Sequence, residues 1–217
     1  MLARWEMMSE HPNTLTDQLR NLTQAPLNRF AVLAARMGIH PDWITAFGLL
    51  MVAFAAFFIA RGEFVAGGVV LLLSLPLDAL DGAVARVIER SGVFGMVLDS
   101  TLDRYADGFI LAALSYYFAE SGRTDMLTIA LAALIGSYLV SYVRARADDA
   151  KVGVSATVGW FTRMERVALL LIAILAAGLL SSELPLEIGL LILAIGANLT
   201  ALQRLRYVHT TLRDRGD

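Results

Sequence analysis

Four aspartates at helical spacing lie close together in DALDGAVARVIERSGVFGMVLDSTLDR, residues 78–104. Asp78 and Asp81 are three residues apart and Asp99 and Asp103 are four apart, so each pair shares one face of a helix. The two predicted helices are antiparallel neighbours joined by a short connection, so both faces can point at one place. Carboxylates gathered there would repel one another strongly unless cations neutralised them.

The residue types at this place favour a hard divalent cation. Ligation by carboxylate oxygens alone, with room for substrate phosphates, suits Mg²⁺ or Mn²⁺ and does not suit zinc. Two such ions bridged by shared carboxylates would hold the phosphates of a donor for phosphoryl transfer. Small residues beside the acids would admit a diphosphate and also let the helices approach closely. These small residues are Gly82, Ala83, Ala85 and Gly95.

The acids are carried by long apolar segments. Hydrophobic residues make up 57% of the 217 residues, above the share of about 45–50% in ordinary globular domains. The chain has no cysteine, which excludes a disulfide framework and a thiolate metal site. We therefore predict an all-α integral membrane protein with six transmembrane helices. The approximate spans are Trp43–Ala60, Phe64–Asp81, Phe94–Phe118, Met126–Val143, Trp160–Leu180 and Leu184–Leu202.

The segment before the first span has no apolar core of the kind found in a signal peptide. Residues 14–38 predict an amphipathic helix lying at the membrane interface, with a break or kink at Pro26. The chain is thus divided into three parts. A tail with the juxtamembrane amphipathic helix covers 1–40, a six-helix catalytic domain covers 41–210, and a cytoplasmic tail covers 211–217.

Basic residues are distributed unevenly about the predicted spans. Fifteen of the 18 Lys and Arg residues lie in the two terminal segments or in the connections between spans two and three and spans four and five. Only Arg61 and Arg123 lie on the other side, and Arg104 lies inside the third span. The positive-inside rule then predicts that both termini and the acid cluster face the cytoplasm. We expect a multi-pass protein of the cell membrane.

The four acids belong to a longer pattern, D-x-x-D-G-x-x-A-R, then eight residues, then G-x-x-x-D-x-x-x-D. Its fixed members are Asp78, Asp81, Gly82, Ala85, Arg86, Gly95, Asp99 and Asp103. This pattern resembles the signature of the CDP-alcohol phosphotransferase family without departure. Together with the predicted six-span topology, the resemblance covers residues 25–210.

The resemblance implies a reaction in which an alcohol attacks the β-phosphate of a CDP-linked donor and CMP leaves. It implies that Asp78, Asp81 and Asp99 bind two metal ions, which would be Mg²⁺, with Mn²⁺ as the alternative. Asp103 would be a further metal ligand and the general base for the acceptor hydroxyl. Family members are commonly homodimers, so a homodimer is expected. The implied donor-binding residues are Pro41, Asp42, Thr45, Asp78, Gly82, Ala85 and Arg86.

The signature does not specify the acceptor alcohol, but arginines outside it favour an anionic one. They lie at the predicted cytoplasmic ends of spans four to six, where bidentate contacts could bind a phosphate. SYVRARADD, RMER and a later QR resemble the phosphatidylinositol-phosphate synthase branch of the family. There the positions of Arg144, Arg166 and Arg204 bind the phosphate of inositol 1-phosphate, although the first is often lysine. This implies transfer of a phosphatidyl group from CDP-diacylglycerol to myo-inositol 1-phosphate.

Other interpretations stay open at this point. A phosphatidylglycerolphosphate synthase, with glycerol 3-phosphate as acceptor, or another CDP-alcohol phosphotransferase would carry the same signature. A metal-ion transporter is more distant, because it would more often show discontinuous helices with acids near the middle of the membrane. Acids at span ends can also be solvated caps, but four at these spacings on adjacent helices argue against that. No nucleic-acid partner is expected.

Overall fold

The computed structural model describes residues 27–88, 92–152 and 158–216, and the regular secondary structure in these ranges is helical. Each of the six predicted spans coincides with a helix. Residues 14–26 of the predicted amphipathic helix lie outside the described residues, whereas 27–36 are helical. The helices are α1 (27–36), α2 (Pro41–Ala60), α3 (Phe64–Val87), α4 (Val93–Glu120), α5 (Thr124–Asp149), α6 (Arg163–Leu180) and α7 (Leu184–Arg215).

Four of these helices, α2, α3, α5 and α7, are long and apolar enough to cross a membrane. The other two predicted spans, α4 and α6, differ from these four in how their charged residues are placed. The cytoplasmic half predicted for α4 carries Asp99, Asp103, Arg104 and Asp107, and α6 has 18 residues and begins with the charged stretch Arg163–Arg166. The chain is therefore a helical membrane protein in which four spans follow from length and composition. The charges that set α4 and α6 apart are those of the candidate site.

Tight turns at glycines connect α2 to α3 and α4 to α5. Gly62 after α2 has φ +76° and Gly122 after α4 has φ +68°, a left-handed conformation that glycine adopts without steric cost. The start of α2 is also well determined, because Pro41 has a φ suited to the first helical position. The side chain of His40 accepts a hydrogen bond from the backbone N–H of Asp42 there. Side-chain contacts show that the end of α3 and the starts of α2, α4 and α6 meet at one end of the bundle.

Small residues let the helices approach closely at the opposite end. A Cβ built on Gly178 of α6 would lie 2.6 Å from the backbone N of Val65 in α3. A Cβ on Gly68 of α3 would lie 2.5 Å from the side chain of Leu175 in α6. Close helix approach through small residues is common in membrane proteins.

Candidate active site

Three of the four signature aspartates converge. One carboxylate oxygen from each of Asp78, Asp99 and Asp103 lies within 4.8 Å of the other two. Asp78 comes from α3, and the other two come from successive turns of α4. This confirms for three residues the geometric expectation that the two helix faces point at one place. The donor set fits a hard divalent cation, because all three ligands are carboxylate oxygens.

The fourth aspartate, Asp81, is buried and faces α2. The hydroxyl of Thr45 donates a hydrogen bond to Asp81 Oδ2 at 2.7 Å, and the backbone N–H of Gly82 contacts the other oxygen. Asp81 thus lies beside the close group of three and links it to the start of α2. Its place among the metal ligands stays a prediction, as does that of the other aspartates.

Arg163, the first residue of α6, joins the site although it is not among the predicted site residues. Its Nη1 lies 3.1 Å from Asp78 Oδ2 and its Nη2 lies 2.6 Å from Asp103 Oδ1. One guanidinium therefore bridges carboxylates from two other helices. The only signal in the sequence was its place beside Arg166 in RMER, which indicates a basic helix start and not which acids it contacts.

A second ion pair connects α4 and α6, one helical turn farther along both helices than the contact of Arg163 with Asp103. Arg166 Nη2 lies 3.0 Å from Asp107 Oδ2, and the two side chains are 3% and 9% exposed. Asp107 follows Asp103 by four residues and Arg166 follows Arg163 by three, so the two pairs form successive bridges from α4 to α6. The pair neutralises two charges that would be costly to bury separately.

The three arginines predicted to bind the acceptor phosphate lie in different surroundings. Arg144 of α5 is exposed, whereas Arg166 is held by Asp107. Arg204 of α7 is buried and donates hydrogen bonds to the carbonyl oxygens of Val158 at 2.9 Å and Val140 at 2.8 Å. Val140 precedes Arg144 by one helical turn, so Arg204 lies beside the part of α5 that carries Arg144. Binding of a phosphate by the three arginines stays a prediction.

A cavity of about 500 Å³ adjoins the acid cluster between the start of α2, the end of α3 and the start of α4. The cavity has free space beside Gly92 and Gly95, because a Cβ built on either glycine would meet no atom within 4 Å. All seven residues predicted to bind the donor line this cavity. They are Pro41, Asp42, Thr45, Asp78, Gly82, Ala85 and Arg86.

A second cavity, of about 410 Å³, lies on the other side of the acids between α2, α3, α4 and α6. Its walls are mainly apolar, and Asp78, Asp103 and Arg163 lie at its edge. The apolar walls include Val52, Leu71, Leu75, Leu102, Ile110 and Leu171. The acid cluster therefore adjoins one cavity with several charged residues in its lining and another that is mainly apolar, which suits a molecule with a charged head and an apolar tail.

Comparison with known proteins identifies relatives along most of the chain. The family model described as CDP-alcohol phosphatidyltransferase matches residues 38–202. The phosphatidylinositol phosphate synthase of Streptomyces avermitilis is 36% identical over 185 residues, which cover 82% of this chain and 75% of that protein. The archaetidylinositol phosphate synthase of Methanothermobacter thermautotrophicus is 36% identical over 200 residues, covering 92% of this chain and 98% of that protein.

Crystal structures of Mycobacterium tuberculosis phosphatidylinositol phosphate synthase have the same fold. The structure with CDP-DAG bound has a TM-score of 0.78 and 29% identity, covering 84% of this chain and 92% of that one. The structure in complex with manganese and citrate has a TM-score of 0.79 and 29% identity, covering 85% and 89%.

Proposed function

The chain belongs to the CDP-alcohol phosphatidyltransferase family, and we propose that it transfers a phosphatidyl group from CDP-diacylglycerol to myo-inositol 1-phosphate. The observation that carries the proposal is the close group of Asp78, Asp99 and Asp103, which adjoins a cavity with charged residues in its lining and a mainly apolar cavity. The relatives named for inositol phosphate acceptors support the choice of acceptor. Family membership removes the metal-ion transporter interpretation.

The two cavities suit the two parts of the donor. The cytidine and diphosphate of CDP-diacylglycerol would occupy the cavity lined by the signature residues, where the Arg86 guanidinium can contact a phosphate. The acyl chains would enter the apolar cavity, where burial of each methylene contributes about 0.8 kcal/mol. A solved relative with CDP-DAG bound supports this class of donor. The phosphate between head and tail would then lie at the carboxylates.

The carboxylates suit a divalent cofactor, which we propose is a pair of Mg²⁺ ions held by Asp78, Asp81, Asp99 and Asp103, with Mn²⁺ as a possible substitute. The manganese complex of a solved relative supports a divalent metal. When bound, such ions neutralise phosphate charge and act as Lewis acids. The chemical roles of the surrounding side chains follow from their positions.

Asp103 is proposed to be the general base. It lies at the edge of the apolar cavity, where the reacting phosphate would be, and a carboxylate within hydrogen-bond reach can accept a proton. The hydroxyl oxygen of the acceptor forms a bond to the β-phosphorus while the bond from that phosphorus to the bridging oxygen breaks. The hydroxyl proton passes to Asp103, and CMP leaves with the bridging oxygen.

The acceptor phosphate is proposed to contact Arg144, Arg166 and Arg204. Arg144 is exposed and could reach a soluble anion, whereas Arg166 and Arg204 are held in place by Asp107 and by backbone carbonyls. Cations fixed in this way lose less side-chain entropy when an anion binds. The arrangement therefore favours a phosphorylated acceptor over free inositol or serine.

The charge distribution supports a topology for the whole enzyme. All six helices α2 to α7 are proposed to span the cell membrane, with both termini and the site on the cytoplasmic side, where a soluble phosphate ester is available and CMP can be released. The protein is proposed to function as a homodimer, as is common in this family.

An acceptor panel tests the proposed function. The purified protein is given CDP-diacylglycerol, Mg²⁺ and one acceptor at a time, and CMP release is measured. We expect turnover with inositol 1-phosphate and little with free inositol or serine. Turnover with glycerol 3-phosphate and not with inositol 1-phosphate would instead assign a phosphatidylglycerolphosphate synthase.

A further inference from the structure

The guanidinium of Arg163 contacts two of the three carboxylates in the close group. Its Nη1 is 3.1 Å from Asp78 and its Nη2 is 2.6 Å from Asp103. A planar guanidinium can direct separate N–H groups at two acceptors, which a lysine ammonium on a flexible stem does less well. Arg163 therefore neutralises acids from α3 and α4 with one side chain.

A divalent cation bound at the acid cluster would be held by the same carboxylates, Asp78 and Asp103, that Arg163 contacts. Cations close to one another repel, and this repulsion is strong where water is partly excluded. Each contact that Asp78 or Asp103 makes with Arg163 also stabilises the metal-free cluster. Binding of the metal therefore has to overcome both the repulsion and the loss of these contacts.

Arg104 provides a comparison within the same site. Its Nη2 lies 3.7 Å from Asp103 Oδ2, so it brings the same charge to the cluster through a longer contact with one acid. Any effect of Arg163 that exceeds that of Arg104 would come from its double contact and not from charge alone.

We infer that Arg163 is an internal counter-ion that competes with the divalent metal for Asp78 and Asp103 and thereby sets the metal affinity. The inference rests on the metal site of the proposed function and adds a residue to it. Arg163 holds the carboxylates of α3 and α4 together before the metal binds, and metal binding releases it from them. Since Arg163 also lies at the edge of the apolar cavity, the released guanidinium stays where the lipid phosphate would be.

Binding of Mn²⁺ to the full-length, metal-free protein in detergent tests the inference, with free Mn²⁺ measured by electron paramagnetic resonance. For Arg163→Gln we expect a dissociation constant at least about fivefold lower than for the wild type, the lower end of ordinary coupling between sites. Arg163→Lys keeps the charge but not the double contact, so its value should be intermediate. The lysine variant still tests the inference if the glutamine variant does not fold.

Thermal unfolding provides a second measurement. Metal-free Arg163→Gln should have a lower Tm than the wild type because its carboxylates repel one another without a counter-ion. Saturating Mn²⁺ should raise its Tm by more than it raises that of the wild type, since tighter binding to the folded state stabilises more.

Two controls separate the possible failures. If Arg104→Gln tightens Mn²⁺ binding as much as Arg163→Gln does, the effect is general electrostatics and the competition is disproved. Unchanged or weaker binding in Arg163→Gln overturns it as well. Asp99→Asn should weaken binding in either case, and if it does not, the metal site of the proposed function is wrong, whatever Arg163 does.

Discussion

Arg166 and Asp107 form a buried ion pair between α6 and α4, with Nη2 and Oδ2 3.0 Å apart. The pair lies one helical turn below the contact of Arg163 with Asp103. An arginine that is predicted to bind the acceptor phosphate is thereby held by an acid outside the signature. Variants can therefore distinguish a role of this pair in the stability of the fold from a role in the binding of substrate.

Replacement of Asp107 with Asn should destabilise the protein. It leaves the Arg166 charge buried without its counter-ion, and breaking a buried pair in this way typically costs about 3–5 kcal/mol. The free energy of unfolding in detergent measures the effect. Asp149→Asn is the matched control, because Asp149 pairs with Arg146 in an exposed position and exposed pairs contribute little. Equal stability of the two variants would contradict the structural role of Asp107.

Replacement of Asp103 with Asn should abolish CMP release while the fold stays intact. The amide cannot accept the proton of the acceptor hydroxyl, and loss of a general base typically lowers kcat by about 10²–10⁴-fold. The kcat of CMP release and the Tm of the same preparation are measured together. Near-normal turnover in a folded protein would remove Asp103 from the mechanism.

Replacement of Thr45 with Val should weaken productive binding of the donor. It removes the hydroxyl that donates to Asp81 at 2.7 Å, and hydrogen bonds to charged groups contribute about 1.5–3 kcal/mol. We expect kcat/KM for CDP-diacylglycerol to fall by about tenfold or more, since each 1.4 kcal/mol is a factor of about ten. Thr45→Ser retains the hydroxyl and should stay near the wild type; an equal loss in both variants would mean that the hydrogen bond is not the cause.

Replacement of Arg144 with Gln should raise KM for inositol 1-phosphate and leave KM for CDP-diacylglycerol nearly unchanged. The side chain is exposed on α5, so its loss removes a phosphate contact without disturbing the core. Arg144→Lys should restore part of the affinity because it keeps the charge. Arg146→Gln, on the same helix and paired with Asp149, is the control. If both glutamine variants raise KM equally, the effect belongs to the general positive charge of α5.

Removal of divalent metal should stop CMP release. After treatment with a chelator, Mg²⁺ or Mn²⁺ should restore activity and Zn²⁺ should not, because Mg²⁺ and Mn²⁺ suit octahedral sites of carboxylate, water and phosphate oxygens, whereas Zn²⁺ prefers tetrahedral coordination by nitrogen and sulfur. Turnover is measured during stepwise addition of each metal. Full activity in the chelated protein would contradict a metal-dependent mechanism.

The helices and the acid cluster could be predicted from the sequence because they depend on local spacing. Long apolar runs gave six segments that all coincide with helices, and aspartates three and four residues apart share a helix face in any helical fold. Helix ends were predicted less well. The last span was expected to end near Leu202, but α7 continues to Arg215, since hydropathy indicates where a membrane could be and does not require the helix to stop there.

The partners of the charged side chains depended on the tertiary structure. Asp81 faces Thr45, Arg163 bridges Asp78 and Asp103, and Arg166 is buried against Asp107. These contacts follow from the rotation of each helix about its axis and from the distance between α4 and α6. Spacing along one helix does not determine either quantity, because both result from how the small residues on several helices pack together. The sequence by itself thus determined the type of chemistry, and the packing of the helices decided which arginine contacts which carboxylate.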